Sequence, residues 1–116
     1  KYREAPQVLR EKQVSLLQEI KWICRKHDTD VKIIISPDYL QVNINPADVK
    51  TLKRFFGKRN VFDFTGINEY TEDIHNYYEP GHYRPALGKR LMEKIYEPYI
   101  LSPNAKSPAS PSPGTI

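Results

Sequence analysis

The sequence predicts an α/β fold in which helices flank a parallel sheet. Three observations carry this. Amphipathic segments alternate with strand-like runs in the order helix, strand, helix, strand, loop, helix. The run Val31-Lys32-Ile33-Ile34-Ile35 is β-branched and almost wholly apolar, as strands buried on both faces of a parallel sheet are. The middle helix carries both a start and a stop signal in its own residues.

Residues 7 to 27 form the first expected helix. Leu9, Leu16, Leu17, Ile20, Ile23 and Cys24 recur at three-, four- and seven-residue steps, with charged and polar residues mostly on the opposite side. Pro6 suits its start. Trp22 belongs with the core or its edge, Cys24 reads as a small buried side chain, and His27 places a favourable charge at the helix end. Asp28-Thr29-Asp30 breaks the pattern before the strand at 31–35, and Ser36-Pro37-Asp38 ends that strand.

Tyr39 to Ile44 alternates weakly and is expected to be extended. Asn45 as N-cap, Pro46 at the first helical position and Asp48 in the first turn open the second helix. Val49, Leu52, Phe55 and Phe56 form its apolar face, and Gly57 stops it. Residues 60 to 64 make a second short strand, and a long loop runs from Thr65 to Arg84. Pro85 begins a third helix with Leu87, Leu91 and Ile95 on one face, and Pro98 is expected to end it. Residues 102–116 are rich in Ser and Pro and nearly devoid of apolar side chains, so they read as a disordered tail. The organisation is then residues 1–101 as the folded portion and 102–116 as tail. Two strands are few for a sheet that stands alone, so residues 1–101 read as the C-terminal portion of a larger doubly wound domain.

Composition narrows the function. The net charge is +4 and the pI about 9.2, but basic and acidic residues intermingle along the chain and no nucleic-acid motif occurs. No nucleic-acid partner is therefore expected. The single cysteine allows no internal disulfide. No apolar run reaches the ~20 residues that span a bilayer, and no membrane span is expected.

The segment "NYYEPGHYRPALG", Asn76 to Gly88, holds the chemistry. His82 is the residue type of a general base near neutral pH. Glu79, three residues upstream across the bend Pro80-Gly81, can hold the other ring nitrogen. Pro sets one torsion of that bend and Gly permits a positive one. The turn follows the last strand, where open α/β sheets place their sites. By spacing alone the pair reads first as a structural turn whose His caps a backbone group. Tyr70, Tyr77, Tyr78 and Tyr83 can line a cleft or cover the end of the sheet, and Arg84 is expected to be solvated. His75 and His82 lie near Asp73 and Glu79, but a metal site needs three or four converging ligands. No metal and no cofactor are expected.

The stretch "VFDFTGINEYTEDIHNYYEPGHYRPALGKRLMEKIY" resembles the last conserved block of SGNH (GDSL-type) hydrolases, and "LLQEIKWICRKHDTDVKIIISP" resembles their preceding helix–strand unit. The resemblance spans roughly residues 10 to 97 in the order of elements. It implies a flavodoxin-like, doubly wound sheet and hydrolysis of O-acyl or O-acetyl esters of a small-molecule or glycan substrate. His82 would be the triad base and Glu79 its acid, where the family usually has Asp; Tyr78 and Tyr83 would line the substrate. The family's nucleophile stands in a Gly-Asp-Ser motif, and neither Ser15 nor Ser36 has that context. This chain alone is therefore expected to be inactive. The alternative is a non-catalytic α/β module that binds a ligand or partner through the tyrosine-rich loop. A further possibility is self-association through an uncovered edge of the 31–35 strand.

Overall fold

The computed structural model describes residues 1–101, with side chains through Glu97; the Ser/Pro tail lies outside the described residues. Six short strands and three α-helices follow one another: β1 (Arg3–Glu4), α1 (Glu11–Lys26), β2 (Ile33–Ile35), β3 (Val42–Asn43), α2 (Pro46–Phe56), β4 (Val61–Asp63), β5 (Tyr77–Glu79), β6 (His82–Tyr83) and α3 (Pro85–Leu101). Single 3₁₀ turns precede β4 and β5.

The α/β class holds, and β2 pairs with β4 in parallel, in the register Ile33–Val61, Ile34–Phe62, Ile35–Asp63. Helix α2 makes the crossover between them. The strands do not merge into one sheet, however. Among the described residues they form three pairs: β2–β4 and β1–β3, both parallel, and the antiparallel hairpin β5–β6.

Helix α2 forms where its residues say it should. The Asn45 side chain accepts the Ala47 N–H at 2.9 Å, Pro46 stands at the first position, and Gly57 ends the helix at φ +91°. Buried Asp48 adds a constraint from its first turn: its two carboxylate oxygens accept the N–H groups of Val8 (2.9 Å) and Leu9 (3.0 Å). That clamp holds residues 8–9 out of helical geometry. Helix α1 therefore starts at Glu11, four residues later than the periodicity suggests, and the Gln13 side chain caps the Arg10 N–H.

The core lies around α3. Leu87, Leu91 and Ile95, one above the other along one face, are buried with Phe64 and Tyr77; Tyr39, Phe62, Tyr70, Tyr83 and Tyr96 pack around them. The helix continues through Pro98 to Leu101 instead of stopping at the proline; a proline so near the end forfeits one intrahelical hydrogen bond. A second patch, Leu52 with Val61, is buried on the α2 side of the sheet.

Two expectations about burial fail. Ile34 is 37% exposed and its neighbours in β2 are half-buried, because β2 is paired along one edge among the described residues and α3 covers β4 rather than β2. Helix α1 buries no residue at all: it leans on α2 through the half-buried line Val14, Leu17, Lys21 and Cys24, while Leu16, Ile20 and Ile23 face outward. Trp22 is 61% exposed, not part of the core.

Candidate active site at the hairpin tip

The loop from Thr65 to Arg84 is largely ordered by its own side chains. Asn68 donates to the carbonyls of Phe64 (2.9 Å) and Thr65 (3.2 Å) and accepts the Tyr70 N–H (2.8 Å). Buried Thr71 donates its hydroxyl to the Gly66 carbonyl at 2.6 Å. Gly66 has φ +88°, and an added Cβ would overlap the Asn43 amide. These bonds fix the approach to β5.

Strands β5 and β6 form a hairpin with Pro80 and Gly81 as its two-residue tip, and Glu79 faces His82 across it. The extra residue Tyr78 is accommodated as an irregularity between Tyr77 and Glu79. Gly81 lies outside the left-handed region, contrary to the expected positive torsion, and the space around it is open apart from Asp38 Oδ2 at 3.8 Å from a built Cβ. The glycine is thus not demanded by the backbone of the turn. The base of the hairpin is closed by the Arg84 N–H on the Asn76 carbonyl (2.7 Å).

At the tip, His82 Nδ1 contacts Glu79 Oε1 directly. The tight turn at Pro80-Gly81 sets them opposite each other across the two strands, and the Glu side chain spans the gap. Both side chains are open to solvent, His82 at 74% and Glu79 at 63%. With Nδ1 engaged, Nε2 is the ring nitrogen left to exchange a proton with another molecule.

The tip does not hang free. The Tyr39 N–H donates to the Pro80 carbonyl at 2.9 Å, and Asp38 lies beside Gly81. Both residues lie in the segment that follows β2, so the hairpin tip is held against that segment. Residues 38–39 were not legible as part of the site, because nothing in their sequence announces a partner forty residues away.

The tyrosines divide by role. Tyr77 is buried, donates its hydroxyl to the Tyr70 carbonyl at 2.7 Å, and has its pKa pushed up to about 12 by burial and then by the Asp38 charge. Tyr70 meets Phe64 edge-on at 5.3 Å, and Tyr83 is half-buried against the core with its ring edge beside Gly88. Tyr78 alone of the four is exposed, and the Arg84 guanidinium stacks on its ring at 4.3 Å while donating to the Tyr77 carbonyl. Arg84 is thus engaged with the hairpin and does not pair with Glu79. Of the two residues expected to line a substrate, Tyr78 is available at the surface and Tyr83 mainly supports the core.

A second His–carboxylate pair, His75 Nδ1 with Asp73 Oδ1 at 3.0 Å, caps the 3₁₀ turn before β5. The His75 backbone N–H, then its ring, hold the Asp73 carboxyl below its usual range. No three His, Cys, Asp or Glu side chains converge into a metal-sized cluster among the described residues. No helix among them is long and apolar enough to cross a membrane.

No family model, curated protein or solved structure matches the chain.

Proposed function

We propose that the chain is the C-terminal portion of an SGNH-like, doubly wound ester hydrolase acting on O-acyl or O-acetyl groups of a small-molecule or glycan substrate. His82 serves as general base and Glu79 as its orienting acid. One observation carries the reading: the imidazole and the carboxylate touch at a solvent-open tip held against the segment that follows a parallel strand. In this role Glu79 accepts the Nδ1–H, fixes the tautomer and stabilises the imidazolium. Nε2 removes the proton of a serine hydroxyl and later delivers it to the leaving alcohol.

The serine and the oxyanion-hole donors belong to residues outside this chain. Three uncovered surfaces support a place for them. The second edge of β2 has no strand beside it among the described residues, Ile34 is exposed, and the outer stripe of α1 is apolar. A parallel strand beside β2, joined to α1 by a right-handed crossover, would cover all three. Its carboxyl end would then stand next to the hairpin tip.

In the full-length protein, His82→Ala should lower turnover of p-nitrophenyl acetate by about a thousandfold or more; unchanged turnover refutes the role. In this chain alone, imidazole ¹⁵N shifts should report an Nδ1–H tautomer for His82 that Glu79→Gln abolishes. A tautomer indifferent to that substitution would also overturn the assignment.

A second reading, a binding module, is favoured by the exposed Tyr78 ring with Arg84 stacked on it. It predicts partner-induced shifts at Tyr78 in the wild-type chain and none in Tyr78→Ala. The open edge of β2 equally admits a second copy, in which case sedimentation would show a dimer whose β2 amides are protected from exchange.

A further inference from the structure

Some of the basic residues that are spread along the sequence converge in space. Residues 60–83 contain five acids and no lysine or arginine, whereas residues 10–59 contain eleven lysines and arginines against six acids. One of those six, Asp48, is buried and committed to the Val8 and Leu9 amides. Helices α1 and α2 by themselves carry seven lysines and arginines against Glu11, Glu19 and the buried Asp48.

Part of this positive charge lines a groove of about 650 Å³ between the two helices, formed by Gln18, Lys21, Trp22, Arg25, Lys26 and Phe55. Such a volume lies within the range of small-ligand sites. Lys21 stands 5.9 Å and Arg54 5.4 Å from the Phe55 centroid, and Lys26 stands 4.9 Å from that of Trp22. None of Lys21, Arg25, Lys26 and Arg54 pairs with a carboxylate among the described residues. Cations in the last turns of α1 and α2 do complement the helix dipoles, but each dipole amounts to about half a charge. Lys21, Arg25, Lys26 and Arg54 exceed that need. The groove lies along the last turns of helices that lead into the amino ends of β2 and β4, and so at the opposite end of the strands from Glu79 and His82.

We propose that this groove binds an acidic polysaccharide, a sugar chain bearing carboxylate or sulfate groups. The cations supply the anion contacts, and the open face of Trp22 offers an apolar platform for the C–H face of a sugar ring. A single-stranded nucleic acid fits less well, since it takes a succession of free aromatic faces on which bases stack. Phe55 already carries two cations within 6 Å of its centroid and Trp22 carries Lys26, which leaves at most one face of Trp22 as a platform. The proposal does not rest on the ester-hydrolase reading; if that reading also holds, the groove keeps an acylated acidic glycan attached while the far end acts on it.

Trp22 is the only tryptophan in the chain, so its fluorescence reports the groove directly. Titration with a heparin-derived oligosaccharide should shift that emission, and binding should weaken as salt is raised. An alginate oligosaccharide, carboxylate only, separates the contribution of carboxylate from that of sulfate; binding of either supports the proposal. Lys21→Gln/Arg25→Gln should weaken binding on the order of tenfold, Arg54→Gln should weaken it independently from α2, and His82→Ala should leave it unchanged. The proposal is overturned if neither acidic glycan binds, if neutral dextran binds as well, if oligo-dT or a polyglutamate peptide binds more tightly, or if the groove substitutions have no effect.

Discussion

Helices α1 and α3 begin as the same kind of sequence and end in opposite circumstances. Both carry apolar residues at helical spacing, and both form. On α3 the three residues Leu87, Leu91 and Ile95 are at most 2% exposed. On α1 the stripe Leu16, Ile20 and Ile23 is about half exposed, at 52%, 46% and 50%. Amphipathic periodicity specifies which face needs a partner and says nothing about whether the partner is present. Helix α3 finds it in Phe64 and Tyr77. Helix α1 finds only the flank of α2, and the rest of its apolar face remains open.

That contrast can be tested from its strongest expression downward. Leu91→Ala removes a side chain enclosed on all sides, and a loss of about 2–5 kcal/mol is expected in urea unfolding. Ile20→Ala on α1 should cost under about 1 kcal/mol, because about half of that side chain is already in water. Equal losses at the two positions would mean that α1 is covered in solution. If a strand or a second copy does cover it, the cost of Ile20→Ala should rise toward the α3 value when that partner is supplied.

The next largest effects concern the polar clamps that position the two halves. Asp48→Ala leaves the Val8 and Leu9 amides without their acceptor and should cost about 1–3 kcal/mol. Hydrogen exchange at those two amides should accelerate, while the α3 amides lose only the global difference. Gly66→Ala places a Cβ at φ +88° against Asn43 and should cost about 1–3 kcal/mol. Gly81→Ala, outside the left-handed region with open space around it, should stay within about 0.5 kcal/mol. A loss at Gly81 as large as at Gly66 would contradict the turn geometry.

The smallest expected effect is one of pH. The Tyr77 hydroxyl titrates near 10 in an unfolded chain and is pushed up to about 12 when folded. The unfolded state therefore ionises first as pH rises. The stability tied to the neutral hydroxyl is intact below about pH 10 and declines as pH climbs toward the folded value. Tyr77→Phe, which has nothing to ionise, should show a shallower alkaline fall of the urea midpoint than the wild-type chain. Parallel alkaline curves would argue that the ring is not enclosed.

Local signals were legible where neighbouring residues settle the matter. Asn45, Pro46 and Gly57 bound α2 within the sequence itself, and the Leu87–Leu91–Ile95 face survives intact in the core. The contact of Glu79 with His82 was also readable as a bend at Pro80-Gly81, but the strands β5 and β6 that carry it were not: the sequence read residues 65–84 as loop. What else could not be read depends on contacts distant in sequence. The delayed start of α1 follows from Asp48, about forty residues on. The seat of the tip on Tyr39 is likewise forty residues away. The cation–aromatic groove escaped notice because its residues come from two helices, and intermingled charges along a chain say little about how they gather on a surface. The exposed Ile34 differs in kind: a β-branched run states a demand for burial, and only the arrangement of neighbours says whether it is met.

The pairing of Tyr77 with Tyr83 and of Glu79 with His82 makes the reach between carboxylate and ring a matter of counting. Because side chains alternate across a ribbon, adding or deleting one residue within it would slide one arm against the other and turn the two groups to opposite sides. Substitutions at Pro80 or Gly81 change the chemistry of the bend but keep the count. Length, more than composition, is therefore what this short ribbon must preserve if its two ionisable groups are to stay within touch.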